Sequence, residues 1–435
     1  MHKTEFIMKS KIIPALAFTA AALNATAQDN QCAVEYSMYK EFVNVEAYSE
    51  AREPFWKVFK DCPKFSKNIY IDGSKIYRSM ISKAGEDDDA LVNAYVDTLG
   101  IIYRQRIANY GEPASVWSRY GMEIMKYRRS DTANLEGFHT IAKAIAANPT
   151  DPDIASVAAY TQAACALLAN GTIDNEQAFD ALEPVVKSVY RNRESKSESY
   201  GETADKVFSV MRRTFSQSSA TPTFDELFQR KRTLPSSITE VAALTKTMDV
   251  FSADGNDLYA QCAERLYKNN PSAQAAASIA RYNRHAKKYD NAAKYYDEAI
   301  KMETDQKLKS DYLYEAATVA NNQNKHREAV ALAKKSAAAN PKNGAPSLLI
   351  AAIYMVNANN FGDDDFAHRT VYWVAADYAS KAKTADMPLT EEANKLIDKC
   401  KKQFPKKEDA FMHSIKSGDA VTVKTYDTET TTARF

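Results

Sequence analysis

Between Ala273 and Asn343 the chain writes one helical pair twice, and nothing else in its 435 residues limits the fold as strongly. Ala280, Ala292 and Ala299 fall at spacings of twelve and seven, and Ala317, Ala329 and Ser336 repeat those spacings. Small residues at such intervals let two helices approach closely, with Tyr289 and Tyr296 placed to fill the gaps between them. Pro341 stops the second helix where a further pair begins. A unit of this kind cannot bury its apolar face alone, so copies have to stack. With only 12 Gly and 14 Pro, and with Ala, Lys, Glu, Leu and Tyr recurring at helical intervals, the rest of the chain also reads as mostly helical.

This spacing resembles the tetratricopeptide repeat, a helix-turn-helix unit of ~34 residues. The resemblance implies an all-α fold, a tetratricopeptide-like α-solenoid wound as a right-handed superhelix. Other stretches fit it less closely. Cys32 to Phe65 matches in its second helix through Ala51, Val58 and Pro63, but Tyr39 stands where a small residue is usual, as in a terminal cap. Trp117, Tyr120, Gly121 and Ile124 start a second good match that Gly137, Ala144 and Pro149 complete. Ile69 to Ile81 reads as a helix with Gly73 at a close approach, and Asp257 to Lys268 as one in which Tyr259 replaces the usual Ala. A late third copy carries an insertion, Asn357 to Arg369, in which Asp364 or Asp365 is placed to cap the next helix. As a calcium loop that insertion fails, because His368 stands where a bidentate Glu belongs.

The organisation expected from these signals is a signal peptide at 1–27, N-terminal helical repeats at 28–215, a linker at 216–223, C-terminal repeats at 224–405 and a tail at 406–435. Lys9 and Lys11 precede the apolar run Ile12 to Leu23, and Ala25-Thr26-Ala27 supplies a small-residue cleavage site, so the mature chain is expected to start at Gln28. The run is shorter than the ~20 apolar residues of a spanning helix, so no transmembrane helix is expected in the mature chain. The address is therefore export to the periplasm, with association to the outer membrane open. Cys32 follows Asp29-Asn30-Gln31, which does not suit lipidation. With 57 Lys and Arg against 56 Asp and Glu, the loss of three Lys and one Glu with the leader changes the charge from +1 to −1, which argues against a nucleic-acid partner. Of the five cysteines at 32, 62, 165, 262 and 400, Cys32 and Cys62 fall at the start of one helix and just past the end of the next. An antiparallel pair brings those positions together, making them the candidate disulfide.

Chemistry is sparse. The six histidines form no HExxH pair, and there is no nucleophile elbow or phosphate loop, so no catalytic, cofactor or metal residue is expected. Glu194-Ser195 resembles the catalytic pair of lytic transglycosylases, but it lies in a polar run that cannot supply the dry pocket a general acid needs. The stronger reading is a protein-binding scaffold. In the tetratricopeptide family the first helix of each unit lines a groove, and the resemblance carries that face onto Gln274, Arg281, Arg284 and His285, then Asp311, Tyr314, Asn321 and Asn322. The mature chain also resembles exported tetratricopeptide proteins of Gram-negative bacteria, some of them accessory parts of outer-membrane assembly or secretion machines, so the partner implied is a protein of the cell envelope. The alternative class is a glycan-capturing surface protein of the SusD kind, which embeds similar repeats; only three Trp are available here for stacking on sugars.

The tail breaks the helical pattern. Val421, Val423 and Thr425 alternate with Thr422, Lys424 and Tyr426, and Thr430, Thr431 and Thr432 follow, a β-branched content that suits strands. Gly418 releases the last helix and Asp427-Thr428 can turn a short hairpin. Because an isolated hairpin is marginal in water, the tail is expected to complete a partner's sheet.

Overall fold

The computed structural model describes residues 15–85, 88–130 and 132–435, with the side chains of 15–29 and 194 left aside. The first part of the expected leader, with Lys9 and Lys11, lies outside the described residues. The chain divides into two compact units, one ending at Thr221 and one running from Pro222 to Phe435. Among the described residues no helix is long and apolar enough to cross a membrane.

In the first unit, α1 (Ala15–Asn44) and α2 (Tyr48–Asp61) form an antiparallel pair closed by a disulfide between Cys32 and Cys62, whose Cα atoms are 5.7 Å apart. Tyr39, the residue too large for the usual pattern, is fully buried there, with its hydroxyl directed at Asp72. Next come α3 (Asn68–Lys83), α4 (Asp89–Tyr110), α5 (Pro113–Tyr127), α6 (Ala133–Ala147), α7 (Ile154–Ala169), α8 (Asn175–Asn192) and α9 (Glu198–Ser216). Each helix from α1 to α8 packs against the next, and α7 also touches α9. The starts follow from local chemistry: Asp88, Asp153 and Ser197 each accept a backbone N–H of the first turn, and Asp174 with Gln177 forms a reciprocal capping box. The polar, Ser-rich stretch before α9 does not delay it: the helix begins at Glu198 because Ser197 caps it. Glycine permits the close crossing of α5 and α6. A Cβ on Gly121 would lie 2.7 Å from the Gly137 carbonyl oxygen, and one on Gly137 would lie 2.8 Å from that of Gly121.

The second unit begins with α10 (Phe224–Lys231), which Thr223 and Glu226 start with a second capping box. It continues through α11 (Ile238–Val250), α12 (Asp257–Asn269), α13 (Ala273–His285), α14 (Tyr289–Met302), α15 (Gln306–Asn322), α16 (His326–Ala339), α17 (Ala345–Val356), α18 (Asp365–Ala385), α19 (Thr390–Lys401) and α20 (Lys407–Met412). From α11 to α19 each helix packs on its successor. The duplicated pair is α13–α14 and α15–α16, and all six of its spaced small residues are fully buried. At Ser336 the backbones come so near that Ser336 and Ser310 exchange side-chain-to-carbonyl hydrogen bonds of 2.7 and 2.8 Å. Asp364 caps α18 by accepting from Ala367 N at 2.7 Å, and Gly362 takes φ +85 in the turn before it.

The tail departs from expectation. Ala420–Lys424 (β1) pairs antiparallel with Thr428–Thr432 (β2), and this hairpin is seated on the chain's own helices, not left for a partner's sheet. Its underside is apolar: Val423 and Ala433 are buried, and Tyr426 packs against Phe361 and Tyr354. Polar contacts then fix its position. Lys334 sits 2.8 Å from Asp427 and 2.7 Å from Glu429, and Tyr354 and Tyr378 both donate to Glu429. Arg434 pairs with Asp377 at 2.7 Å, while Trp373 Nε1 donates to the Arg434 carbonyl at 2.7 Å. Helices thus supply the surface that an isolated hairpin lacks.

Candidate partner-binding surface

The residues assigned to the groove sit on α13 and α15, the first helices of the two matched pairs. What holds these helices beside one another, and beside α11, is charge. Arg281 reaches both ways: its guanidinium donates through Nε to Glu315 on α15 at 2.9 Å and through Nη1 to Asp249 on α11 at 3.1 Å. Arg284, one turn on, donates to Asp254 at 2.8 Å. Tyr259, from α12, donates to Asp249 at 2.6 Å.

These groups are withdrawn from water, and their titration follows from it. Burial opposes the charge on Arg281, but Glu315 and Asp249 outweigh it and hold the guanidinium well above its ordinary value. Burial alone would raise the Glu315 carboxyl; Arg281 and Arg284 outweigh it and hold it below the usual carboxylate range. Asp254 goes the other way, since burial raises its carboxyl more than Arg284 lowers it. An ion pair in such surroundings resists disruption because removing one partner strands the other in a dry site.

The eight expected groove residues therefore divide. Arg281, whose side chain is 13 % exposed, and Arg284 are cross-links between neighbouring elements. Asn321 shares a hydrogen bond with His326 Nδ1 at 3.1 Å. His285 is exposed, with its ring over Gly255, where a Cβ would lie 2.2 Å from the imidazole; its Nε2 is 4.0 Å from Asp225. Gln274, Asp311 and Tyr314 are half-buried, and burial pushes the Tyr314 phenol upward. Asn322 is exposed. Asp249, Asp254 and Glu315 were not singled out from sequence, although Tyr259, too large for its repeat position, marks the place where Asp249 is bound.

Two concavities lie elsewhere in this unit. One, of ≈ 560 Å³, is lined by Ile300, Leu313, Leu332 and lysines of α15 and α16; the other, of ≈ 480 Å³, by Lys325, Arg327 and Tyr426. Neither includes an expected groove residue. Among the described residues no group of three or more His, Cys, Asp or Glu is placed to hold a metal ion. Glu194-Ser195 falls in a 3-10 turn, Arg193–Ser195, where the Ser195 hydroxyl donates to the Asn192 carbonyl; the Glu194 side chain lies outside the described residues. Cys165, Cys262 and Cys400 are buried thiols, each pushed up to about 11 by burial, and so are poor nucleophiles.

No family model matches the chain, and no curated protein matches it. Among solved structures it is similar to a tetratricopeptide repeat protein from Parabacteroides merdae, at 10 % identity over 66 % of this chain and 99 % of that one, with a TM-score of 0.27. It is also similar to yeast Tom70, at 15 % identity over 88 % and 91 % with a TM-score of 0.30, and to MamA, at 16 % over 44 % and 95 % with a TM-score of 0.28. The duplicated pair α13–α14 and α15–α16, stacked on neighbours packed the same way, makes the chain a tetratricopeptide-like helical-repeat protein.

Proposed function

We propose that the chain is an exported scaffold that holds an extended segment of a partner protein of the cell envelope along the α13 and α15 face. The observation that carries this reading is the division of polar groups on that face. Arg281 and Arg284 are committed to neighbouring elements, so the row of first helices is fixed, while Gln274, His285, Tyr314 and Asn322 stand along it at least partly open to solvent. A fixed row of short polar side chains with an aromatic suits hydrogen bonding to an extended peptide, whose ordering cost is lower on a preformed surface. The disulfide between Cys32 and Cys62 suits an oxidising compartment, in keeping with export.

A photo-crosslinking residue at His285, at Asn322 or, as a control, at exposed Lys301 on α14 tests the reading in living cells. The expected result is one protein captured from 285 and 322 and absent from 301. Capture of the same species from all three positions, or from none, overturns it, and capture of glycan in place of protein favours the SusD-like class.

A further inference from the structure

The chain as a whole is almost neutral, but its charge is not evenly spread. From Lys395 to Lys416 seven lysines stand against Asp398, Glu408 and Asp409. Lys395 and Lys401 are paired on their own helix, at 2.7 Å with Glu391 and 3.5 Å with Asp398. Lys399, Lys402, Lys406, Lys407 and Lys416 are exposed and make no ion pair among the described residues. Lys399 and Lys402 close α19, where the helix dipole favours a cation. Lys406 and Lys407 have no such reason, since they stand at the start of α20, where the dipole opposes them.

Within this basic run Phe411 and Met412 are 78 % and 82 % exposed. No other two consecutive large apolar side chains are exposed among the described residues. They are also held in place. Ala410 is fully buried, His413 stacks on Phe366 with ring centroids 4.0 Å apart, and Ile415 N donates back to the Ala410 carbonyl at 3.0 Å. Transfer of two such side chains out of water is strongly favourable wherever an apolar medium is offered. An anchored short helix that keeps both in water, within a run where unpaired lysines outnumber the acids Glu408 and Asp409, fits a medium that is anionic at its surface and apolar beneath.

We propose that Lys399 to Lys416 is a peripheral contact for an anionic lipid surface, the lysines meeting the headgroups and Phe411 with Met412 entering the boundary with the acyl chains. A nucleic acid would match the cations but offers Met412 no dry surroundings. A folded acidic protein would need a pocket shaped to this pair, whereas a bilayer accepts any protruding shape. The inference stands apart from the α13 and α15 face, and either can fail without the other.

The test is co-sedimentation of the full chain with vesicles of phosphatidylcholine alone or mixed with phosphatidylglycerol, at low and high salt. Binding is expected to the mixed vesicles, weakened by salt. The charge reversal K406E/K407E should weaken it more than tenfold, at about fivefold per lysine lost. F411S/M412S should remove the part that survives high salt, with circular dichroism and Tm unchanged because both positions are exposed. As a second readout, the variant Phe411→Trp should give a blue-shifted emission only with the mixed vesicles. The proposal is overturned by absent binding, by binding that ignores both double variants, by an unshifted emission from the Phe411→Trp variant, or by equal retention on heparin that F411S/M412S leaves untouched.

Discussion

At the scale of single residues, the deciding group is Glu315. It was not singled out by any motif, yet it accepts three hydrogen bonds from the Arg281 guanidinium. Glu315→Gln leaves Arg281 charged in a dry site with only Asp249, so a loss of about 3 kcal/mol is expected at neutral pH, measured by urea unfolding. The pH dependence has a definite sign. Because the folded carboxyl is held below its unfolded value, the stabilisation is present above about 4.3, the ordinary Glu value, and is lost as pH falls through the folded one. The variant should therefore show a shallower fall in Tm on the acid side; a parallel fall would mean that Glu315 is not the group being protonated. Gly121 is a second residue-scale case, and here the obstacle is main chain. Gly121→Ala places its Cβ against the Gly137 carbonyl, so α5 and α6 must separate, at an expected cost of about 1 to 3 kcal/mol in the same measurement.

At the scale of elements, the tail is the informative case. Its alternating Val and Thr residues mark it as strand in sequence, and so it proves, but its destination could not be read there. Tyr354, Trp373 and Tyr378 look like ordinary helical core residues, Phe361 lies in the insertion between α17 and α18, and nothing local shows that the hairpin and the residues just after it reach Tyr354, Trp373 and Tyr378 from more than fifty residues away. The same limit applies to Arg281 and Arg284: periodicity puts them on the first-helix face, while the carboxylates that bind them lie thirty or more residues off on neighbouring elements. Local signals fared better. The capping role of Asp364, the close approach at Gly73 and the pairing of Cys32 with Cys62 each depend on neighbours within one turn, one helical pair or the next helix along. Deleting residues 419–435 should now lower the Tm and increase binding of a hydrophobic dye, because the deletion uncovers four aromatic side chains; unchanged dye binding would mean that the hairpin covers nothing the fold needs. At the other end, the disulfide closes a separation of 30 residues, which in the chain-entropy model is worth about 3.5 kcal/mol. C32S/C62S should lose stability on that order in urea unfolding under oxidising conditions, and a loss under about 1 kcal/mol would show that packing around Tyr39 and Phe55 holds α1 unaided.

At the scale of the whole molecule, each unit carries its own core. Tyr39, Phe55, Tyr70 and Tyr103 lie in one, and Ile350, Tyr354, Val374 and Tyr378 in the other, with the division between Thr221 and Pro222. We propose that residues 216–223 act as a linker between separately folding halves. The segment runs from the last residue of α9 to the cap of α10, and Ser216, Gln217, Ser219, Ala220, Thr221 and Thr223 are exposed. Its first part is tied back: the Asn175 side-chain amide donates to the Ala220 carbonyl at 3.0 Å, and Ser218 donates to Asn175 at 2.7 Å. Those bonds belong to the first unit, which leaves Thr221 and Pro222 as the place where the chain passes from one unit to the other. Brief digestion with a protease of broad specificity should therefore cut first within 216–223 and yield two fragments that each keep a helical circular dichroism signal and a cooperative melt. Asn175→Ala, by releasing Ala220 and Ser218, should speed that cut severalfold without changing the fragments. If one fragment melts without cooperativity, the two cores are one folding unit, and the linker is only an exposed turn.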